Sequence, residues 1–174
     1  MARLSSHVRE AEGFTPSPEG WAPHLTIGSI VLMEKGKAEP GAYMLCTQPI
    51  CDTVRLSRDT FFSFTTLTPS GQGEEFWLVV RNDKQNVKLR MNYLTTASTR
   101  HFAGFKPDEV TQKITATFEA ETGKFIFKDI GGNRYSWIAD LDQLKAQRAA
   151  SEMASALGRV GLDEYEWLRR GGKL

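Results

Sequence analysis

The sequence predicts a mainly β protein: a small antiparallel barrel, SH3-like or related, with added hairpins and a C-terminal α-helical segment. From residue 27 onward, about eight short apolar or alternating runs are separated by turns rich in glycine, proline and asparagine. Residues 113–140 alternate apolar and polar side chains around two glycine turns, which is typical of an antiparallel meander with one buried side. After Asp140 the apolar period becomes helical.

Three regions follow from this pattern. Residues 1–26 are predicted to be an irregular lead-in because prolines cluster there and cannot donate a backbone hydrogen bond; one short helical turn is expected near residues 5–12. Residues 27–139 are predicted to form the β-barrel domain, and residues 140–174 a helical tail packed on the barrel. The strand runs are IGSIVLME, AYMLCTQP, VRL, FFSFTTL, EFWLVV, NVKLRMN and the meander KITATFEAETGKFIFKDIGGNRYSWIAD.

The tail carries a helical apolar stripe that must be buried somewhere. It comprises Ala146, Ala150, Met153, Leu157 and Val160. Asp163 and Glu166 form a capping pattern for a final short helix that contains Trp167 and Leu168. This surface fits docking on the barrel or on another chain.

Composition excludes several classes of protein. The 174 residues include 22 Lys plus Arg and 21 Asp plus Glu, so the net charge of +1 excludes a globally basic nucleic-acid coat. Two cysteines are too few for a disulfide scaffold. We see neither a secretory signal nor an apolar run of the roughly 20 residues that span a bilayer. The expectation is a bacterial-type cytoplasmic protein that does not associate with a membrane.

A basic stretch is the first candidate site. Residues 81–106 contain six Lys or Arg and one acid, which gives a local charge of +5. A basic strand face with interleaved aromatic residues is used by β-barrels to bind nucleic acid. The candidate nucleic-acid-binding residues are Arg81, Lys84, Lys88, Arg90, Tyr93 and Arg100. The alternative is a solvated strand face, with Phe102 and Phe105 in the core.

The sequence Cys46-Thr-Gln-Pro-Ile-Cys51-Asp52 is the second candidate. Zinc needs about four ligands, and the chain offers no second cysteine pair, so we expect no metal and no cofactor. Cys46 fits a buried strand position and Cys51 a turn. Cys51 is also a candidate nucleophile, although the adjacent Asp52 would raise rather than lower the pKa of its thiol.

Two segments resemble a known family. Gly28-Ser-Ile-Val-Leu with Tyr43-Met-Leu-Cys-Thr-Gln-Pro-Ile-Cys-Asp52, and the tail Arg159-Val-Gly-Leu-Asp-Glu-Tyr-Glu-Trp-Leu-Arg169, are similar to the region after the receiver domain in bacterial response-receiver-like proteins. These are encoded beside histidine-kinase-type or heat-shock-chaperone-type ATPases, sometimes in phage-defence neighbourhoods. The chain departs from the pattern at Ser29 and Gln48 and offers no receiver-type phosphoacceptor Asp. The resemblance implies partner binding by Arg159, Trp167, Leu168 and Arg169.

The run GSIVLMEKGK with AYMLCTQ and FFSFTTL also resembles the barrel of PemK/MazF-type toxin ribonucleases, which cleave RNA with an Arg and a nearby Ser or Thr. The usual Arg-Pro pair is missing here. The resemblance implies Arg55 with Thr65 or Thr66 as the catalytic candidates, beside Cys51 and Asp52 from the cysteine segment.

The sequence therefore favours a non-catalytic binding or effector module of a bacterial signalling or phage-defence system. Such a module would act through a protein partner from the same operon and also contact RNA or single-stranded DNA. The alternatives are a PemK/MazF-like endoribonuclease and a barrel that binds single-stranded nucleic acid.

Overall fold

The computed structural model describes residues 8–10, 20–34, 41–91 and 100–155. Within these ranges the chain forms one antiparallel sheet of ten strands, curled into a half-barrel, and a helix over residues 143–155, called α1. The strands are β1 (Val8–Glu10), β2 (Ser29–Met33), β3 (Ala42–Cys46), β4 (Thr60–Pro69), β5 (Leu78–Asn82), β6 (Gln85–Met91), β7 (Arg100–Phe105), β8 (Thr117–Glu119), β9 (Lys124–Lys128) and β10 (Arg134–Leu141). A 3-10 turn covers Ile50–Asp52.

Strands β4, β3, β2 and β10, in this order, form the centre of the sheet. The sheet splits at each end of this centre, because β4 and β10 each pair with two different strands along their outer edge. One edge of β4 pairs with β3, and the other edge pairs with β7 over Thr60–Thr65 and with β6 over Leu67–Pro69. In the same way, β10 pairs with β9 at its start and with β1 at its end, while β2 lies along its other edge. The register of β10 against β2 shifts between Trp137 and Ala139, which marks a β-bulge. The outer strands that pair with β4 and β10 therefore cover both faces of the four central strands.

Each face of the central strands is covered by a separate core. The first, the aliphatic core, lies under β5, β6 and α1 and includes Ile30, Leu45, Leu67, Leu89 and Met153. The second, the aromatic core, lies under β7 and β9 and includes Phe62, Phe64, Phe105, Phe125 and Trp137. Adjacent residues of one strand enter opposite cores, as Ile30 and Val31 do. Double burial explains why β2 (SIVLM) and β3 (AYMLC) are almost continuously apolar in sequence.

Helix α1 packs on the aliphatic core through Ala146, Ala149 and Met153. Gly28 allows this close approach, because a Cβ atom there would lie 2.7 Å from the Cβ of Ala146. Gly28 also has a φ of +88°, which L side chains rarely adopt. Leu157 and Val160 of the predicted stripe lie outside the described residues.

The prediction of a mainly β antiparallel protein with a C-terminal helix is confirmed. The helical turn expected near residues 5–12 is wrong where the structure describes this segment, because Val8–Glu10 forms β1 against Ala139–Leu141. Pairing with an open strand edge satisfies backbone groups that a short isolated helix would not hold stably. No helix within the described ranges is both long and apolar enough to span a membrane.

Candidate nucleic-acid interface

The β5–β6 hairpin presents a row of cations on its outer side. In the hairpin register, Arg81 lies opposite Asn86 and Lys88 opposite Val79, while Arg90 lies opposite Thr68 of β4. Arg81, Lys88 and Arg90 are exposed, and the alternating Val80, Leu89 and Met91 are buried in the aliphatic core. The Nζ of Lys88 lies 5.2 Å from the ring centroid of Phe76, within the range of a cation–π interaction. We call Arg81, Lys84, Lys88 and Arg90 the cationic hairpin face.

Lys84 lies at the tip of this hairpin in an unusual backbone conformation. Asp83 and Lys84 have φ values of 49° and 64°, as the two central residues of a type I′ turn require. Glycine is favoured at these positions, yet the chain places a lysine there. The single acid of the stretch, Asp83, forms an ion pair with Lys124 at 3.1 Å, so its charge is partly balanced from another hairpin.

Arg100 does not join this surface. It pairs with Thr65, whereas Arg90 pairs with Thr68, and residues an odd number apart along a strand point to opposite faces. Side chains on the Arg100 side include Phe61 and Phe102, which are 62% and 59% exposed. The predicted six-residue set is therefore divided over two surfaces, and Tyr93 lies outside the described residues.

The alternative interpretation places both Phe102 and Phe105 in the core; this is wrong for Phe102, which is exposed, whereas Phe105 is buried. The alternation of side chains along β4 and β7 predicts that Phe102 is exposed and Phe105 is buried. Phe61 and Ser63 share one face of β4, and Arg100, Phe102 and Gly104 share the matching face of β7. Polar and small residues on that face indicate solvent, whereas Phe62, Phe64, Ala103 and Phe105 point into the aromatic core.

The three ribonuclease-type candidates differ in exposure. Arg55 is exposed, with a φ of 57°, whereas Thr65 is 0% exposed between Leu45 and Arg100. The Thr65 hydroxyl is buried and lacks a hydrogen-bond partner among the described residues. Its burial leaves no path to an RNA backbone in this conformation, and Thr66 on the opposite face is only half-buried.

The cysteines occupy different environments. Cys46 is buried in the aromatic core, and burial raises the pKa of its thiol to about 12, so it stays protonated and unreactive near neutral pH. Cys51 lies exposed in the 3-10 turn, with its Sγ 3.5 Å from Oδ1 of Asp52. Both thiols are free. Within the described ranges, no group of three or more His, Cys, Asp or Glu side chains is placed to hold a metal ion.

Three polar side chains, His101, Tyr135 and Asp129, contact one another at the edge of the aromatic core, and we call them the polar relay. The Tyr135 hydroxyl donates to Oδ2 of Asp129 at 3.1 Å and lies 2.9 Å from Nε2 of His101. Because the tyrosine proton is directed to Asp129, the Tyr135 oxygen accepts in its contact with Nε2 of His101. Burial raises the pKa of Asp129, but hydrogen bonds from Asn133 and Tyr135 outweigh it and hold that pKa below its usual value.

The candidate partner-binding residues Arg159, Trp167, Leu168 and Arg169 lie outside the described residues. Comparison of the chain with protein-family models, with curated proteins and with solved structures finds no match. The geometry of the site is therefore the basis for a functional proposal.

Proposed function

We propose that this protein is a nucleic-acid-binding module whose cationic hairpin face holds the phosphate backbone. The observation that carries the proposal is the register of β5 and β6, which aligns Arg81, Lys88 and Arg90 on one exposed face. Phosphate contacts from such a row add affinity without reading sequence. A net charge of only +1 makes this a local attraction rather than a property of the whole chain.

The turn supports the same proposal. A lysine in the left-handed region costs about 1 kcal/mol relative to glycine. Strain kept at an exposed tip is a reason to look for function there, because stability alone would favour glycine. Lys84 extends the row of cations past the end of the sheet, where it can meet a phosphate.

Fluorescence anisotropy with labelled single-stranded RNA and DNA tests the proposal. We expect binding that weakens steeply between 50 and 200 mM salt, because each phosphate contact releases counterions. Arg90→Glu should weaken binding about tenfold or more and reduce the salt slope by roughly one. A gel of the RNA after incubation tests the ribonuclease alternative in the same samples.

Two variants separate charge from folding. Arg148→Glu makes the same change in net charge on α1, where the Arg148 side chain is 81% exposed, and should leave binding nearly unchanged. Lys84→Gly removes a cation while suiting the turn, so it should weaken binding while the free energy of unfolding stays equal or rises by up to about 1 kcal/mol. Equal losses in Arg90→Glu and Arg148→Glu would contradict a local site. Absence of binding at low salt would overturn the proposal and leave the protein-partner hypothesis.

A further inference from the structure

We infer that the exposed face of β4 and β7 is a base-stacking site for single-stranded nucleic acid. Phe61 and Phe102 serve as the stacking rings, and Arg100 is the adjoining cation. This inference rests on the proposed function and names the form of nucleic acid that the module prefers. We call this surface the aromatic platform.

The register places the two rings side by side. Phe61 pairs with Gly104 and Ser63 pairs with Phe102, so the phenylalanines are diagonal neighbours on one sheet face. Diagonal positions lie about 7–8 Å apart, close enough for both rings to contact neighbouring bases. Arg100, opposite Thr65, follows on the same face at the next alternate position of β7.

The exposure of these rings is not explained by the core. Phe61 and Phe102 are 62% and 59% exposed, although the aromatic core holds other phenylalanines of the same two strands. Leaving a large apolar side chain in water forgoes about 1.5–3 kcal/mol of burial energy. Two such residues side by side, rather than scattered, mark an interaction surface.

Gly104 makes the patch continuous. A Cβ atom there would meet Ile130 at 2.8 Å and Phe61 at 3.2 Å, so both side chains lie against the bare backbone. The amide of Ile130 donates to the carbonyl of Gly104 at 2.8 Å, which fixes this turn beside β7. Ile130 is 55% exposed and adds a third apolar group next to Phe61.

Charge selects the occupant of the platform. A purely apolar face would suit a protein partner, but Arg100 lies on this face, one alternate position from Phe102. Aromatic rings beside a cation fit a single strand, because unpaired bases stack on the rings while the cation holds a phosphate.

The closing experiment uses the full chain with labelled dT20 and a DNA hairpin duplex of similar charge. Phe61→Ala and Phe102→Ala should each weaken dT20 binding about tenfold, from the loss of one stacking contact, with the salt slope unchanged. Duplex binding should stay within twofold, since paired bases cannot reach the rings. Val110→Ala is the matched control, because Val110 is an apolar residue that is 90% exposed elsewhere.

The outcomes separate the inference from the proposed function. Loss of dT20 binding in the phenylalanine variants with no effect of Arg90→Glu would support the platform and overturn the hairpin. The reverse result would overturn the platform and keep the hairpin. Equal losses for dT20 and duplex would also overturn the stacking role. A change in the sedimentation coefficient of the free protein in Phe61→Ala or Phe102→Ala would assign the patch to contacts between copies of the chain and overturn the inference.

Discussion

The two cores differ in chemistry although the same four central strands supply both. The aliphatic core is built mainly from Ile, Leu, Val, Met and Ala and is closed by α1. In the aromatic core, seven of the fourteen buried residues carry rings, with contacts such as the stacked pair of Phe64 and Tyr135, whose ring centroids are 6.0 Å apart. Branched and small side chains adapt to a helix that approaches closely, whereas rings need defined angles to their neighbours. The comparison indicates that the aliphatic core tolerates rearrangement of its side chains, whereas the aromatic core depends on the geometry of its ring contacts.

The outer surfaces above the two cores differ as well. Above the aliphatic core, the hairpin carries the cations of the cationic hairpin face. On the side of the aromatic core, β4 and β7 form the aromatic platform, and His101 of β7 contacts Tyr135 of β10, which donates to Asp129. The proposed phosphate contacts and the proposed stacking contacts therefore belong to different parts of the sheet.

The largest expected loss of stability comes from truncating one large buried side chain in each core. Phe64→Ala should lower the free energy of unfolding by about 3–5 kcal/mol, and Leu89→Ala by about 2–5 kcal/mol, in urea titrations. Phe64 lies within 6.3 Å of the rings of His101, Phe105 and Tyr135, and such ring pairs add about 0.5–1.5 kcal/mol beyond burial.

Milder variants keep this test interpretable if an alanine variant does not fold. Phe64→Leu preserves apolar burial but removes the ring contacts, whereas Leu89→Met preserves volume and should cost less than about 1.5 kcal/mol. We expect Phe64→Leu to cost more than Leu89→Met. Equal costs would mean that ring geometry adds nothing to the aromatic core.

A smaller loss of stability is expected when α1 is pushed away from the aliphatic core and the aromatic core is left unchanged. Gly28→Ala should destabilise by about 1–3 kcal/mol through crowding with Ala146, plus about 1–2 kcal/mol for the positive φ. Near-ultraviolet circular dichroism, which reports on the aromatic core, should change less than the helical signal at 222 nm. Adding Ala146→Gly should recover the crowding part only. Full recovery would show that the backbone strain is negligible, and none would contradict the contact.

The relay next to the aromatic core gives a still smaller and pH-dependent effect. Tyr135→Phe should cost about 1–2 kcal/mol at pH 7, because His101 and Asp129 each lose a partner. The depressed pKa of Asp129 stabilises the fold above its unfolded pKa of about 3.9, and this is lost as pH falls through the folded value. The cost of Tyr135→Phe should therefore shrink below about pH 4 in denaturant titrations. A cost that is constant from pH 7 to pH 3 would contradict the role of Asp129.

The sequence was sufficient for the meander and the helix because their periods are local. Residues 113–140 contain alternation and glycine turns, and they form the described strands β8, β9 and β10. The division of the sheet could not be predicted, because it depends on β4 exchanging β7 for β6 near Thr66. That pairing joins distant segments and leaves no local signature. β1 was missed for the same reason, since three residues pair with a strand more than a hundred positions away.

The candidate site was predictable only in part. A period of two within one strand is enough to place Lys88 and Arg90 on the face opposite Leu89 and Met91, and the structure has these two cations exposed and the two apolar residues buried. Arg100 was grouped with them by proximity in sequence, yet parity along β4 places it on the other face. Nearness in sequence cannot predict which face of a dividing sheet a residue joins.

Thr65 marks the place where the aliphatic side of β4 becomes open surface, and its replacement should have the smallest effect. Along this face Leu67 is buried in the aliphatic core, Thr65 is fully buried, Ser63 is half-buried and Phe61 is exposed. Because the Thr65 hydroxyl has no partner among the described residues, Thr65→Val should be neutral or stabilise by about 1 kcal/mol in urea titrations. Thr66→Val, at a half-buried position on the opposite face, is the control. A loss above about 1 kcal/mol would mean that the hydroxyl makes a hydrogen bond in solution, whereas RNA cleavage abolished in a stable Thr65→Val variant would favour the ribonuclease alternative over a binding module.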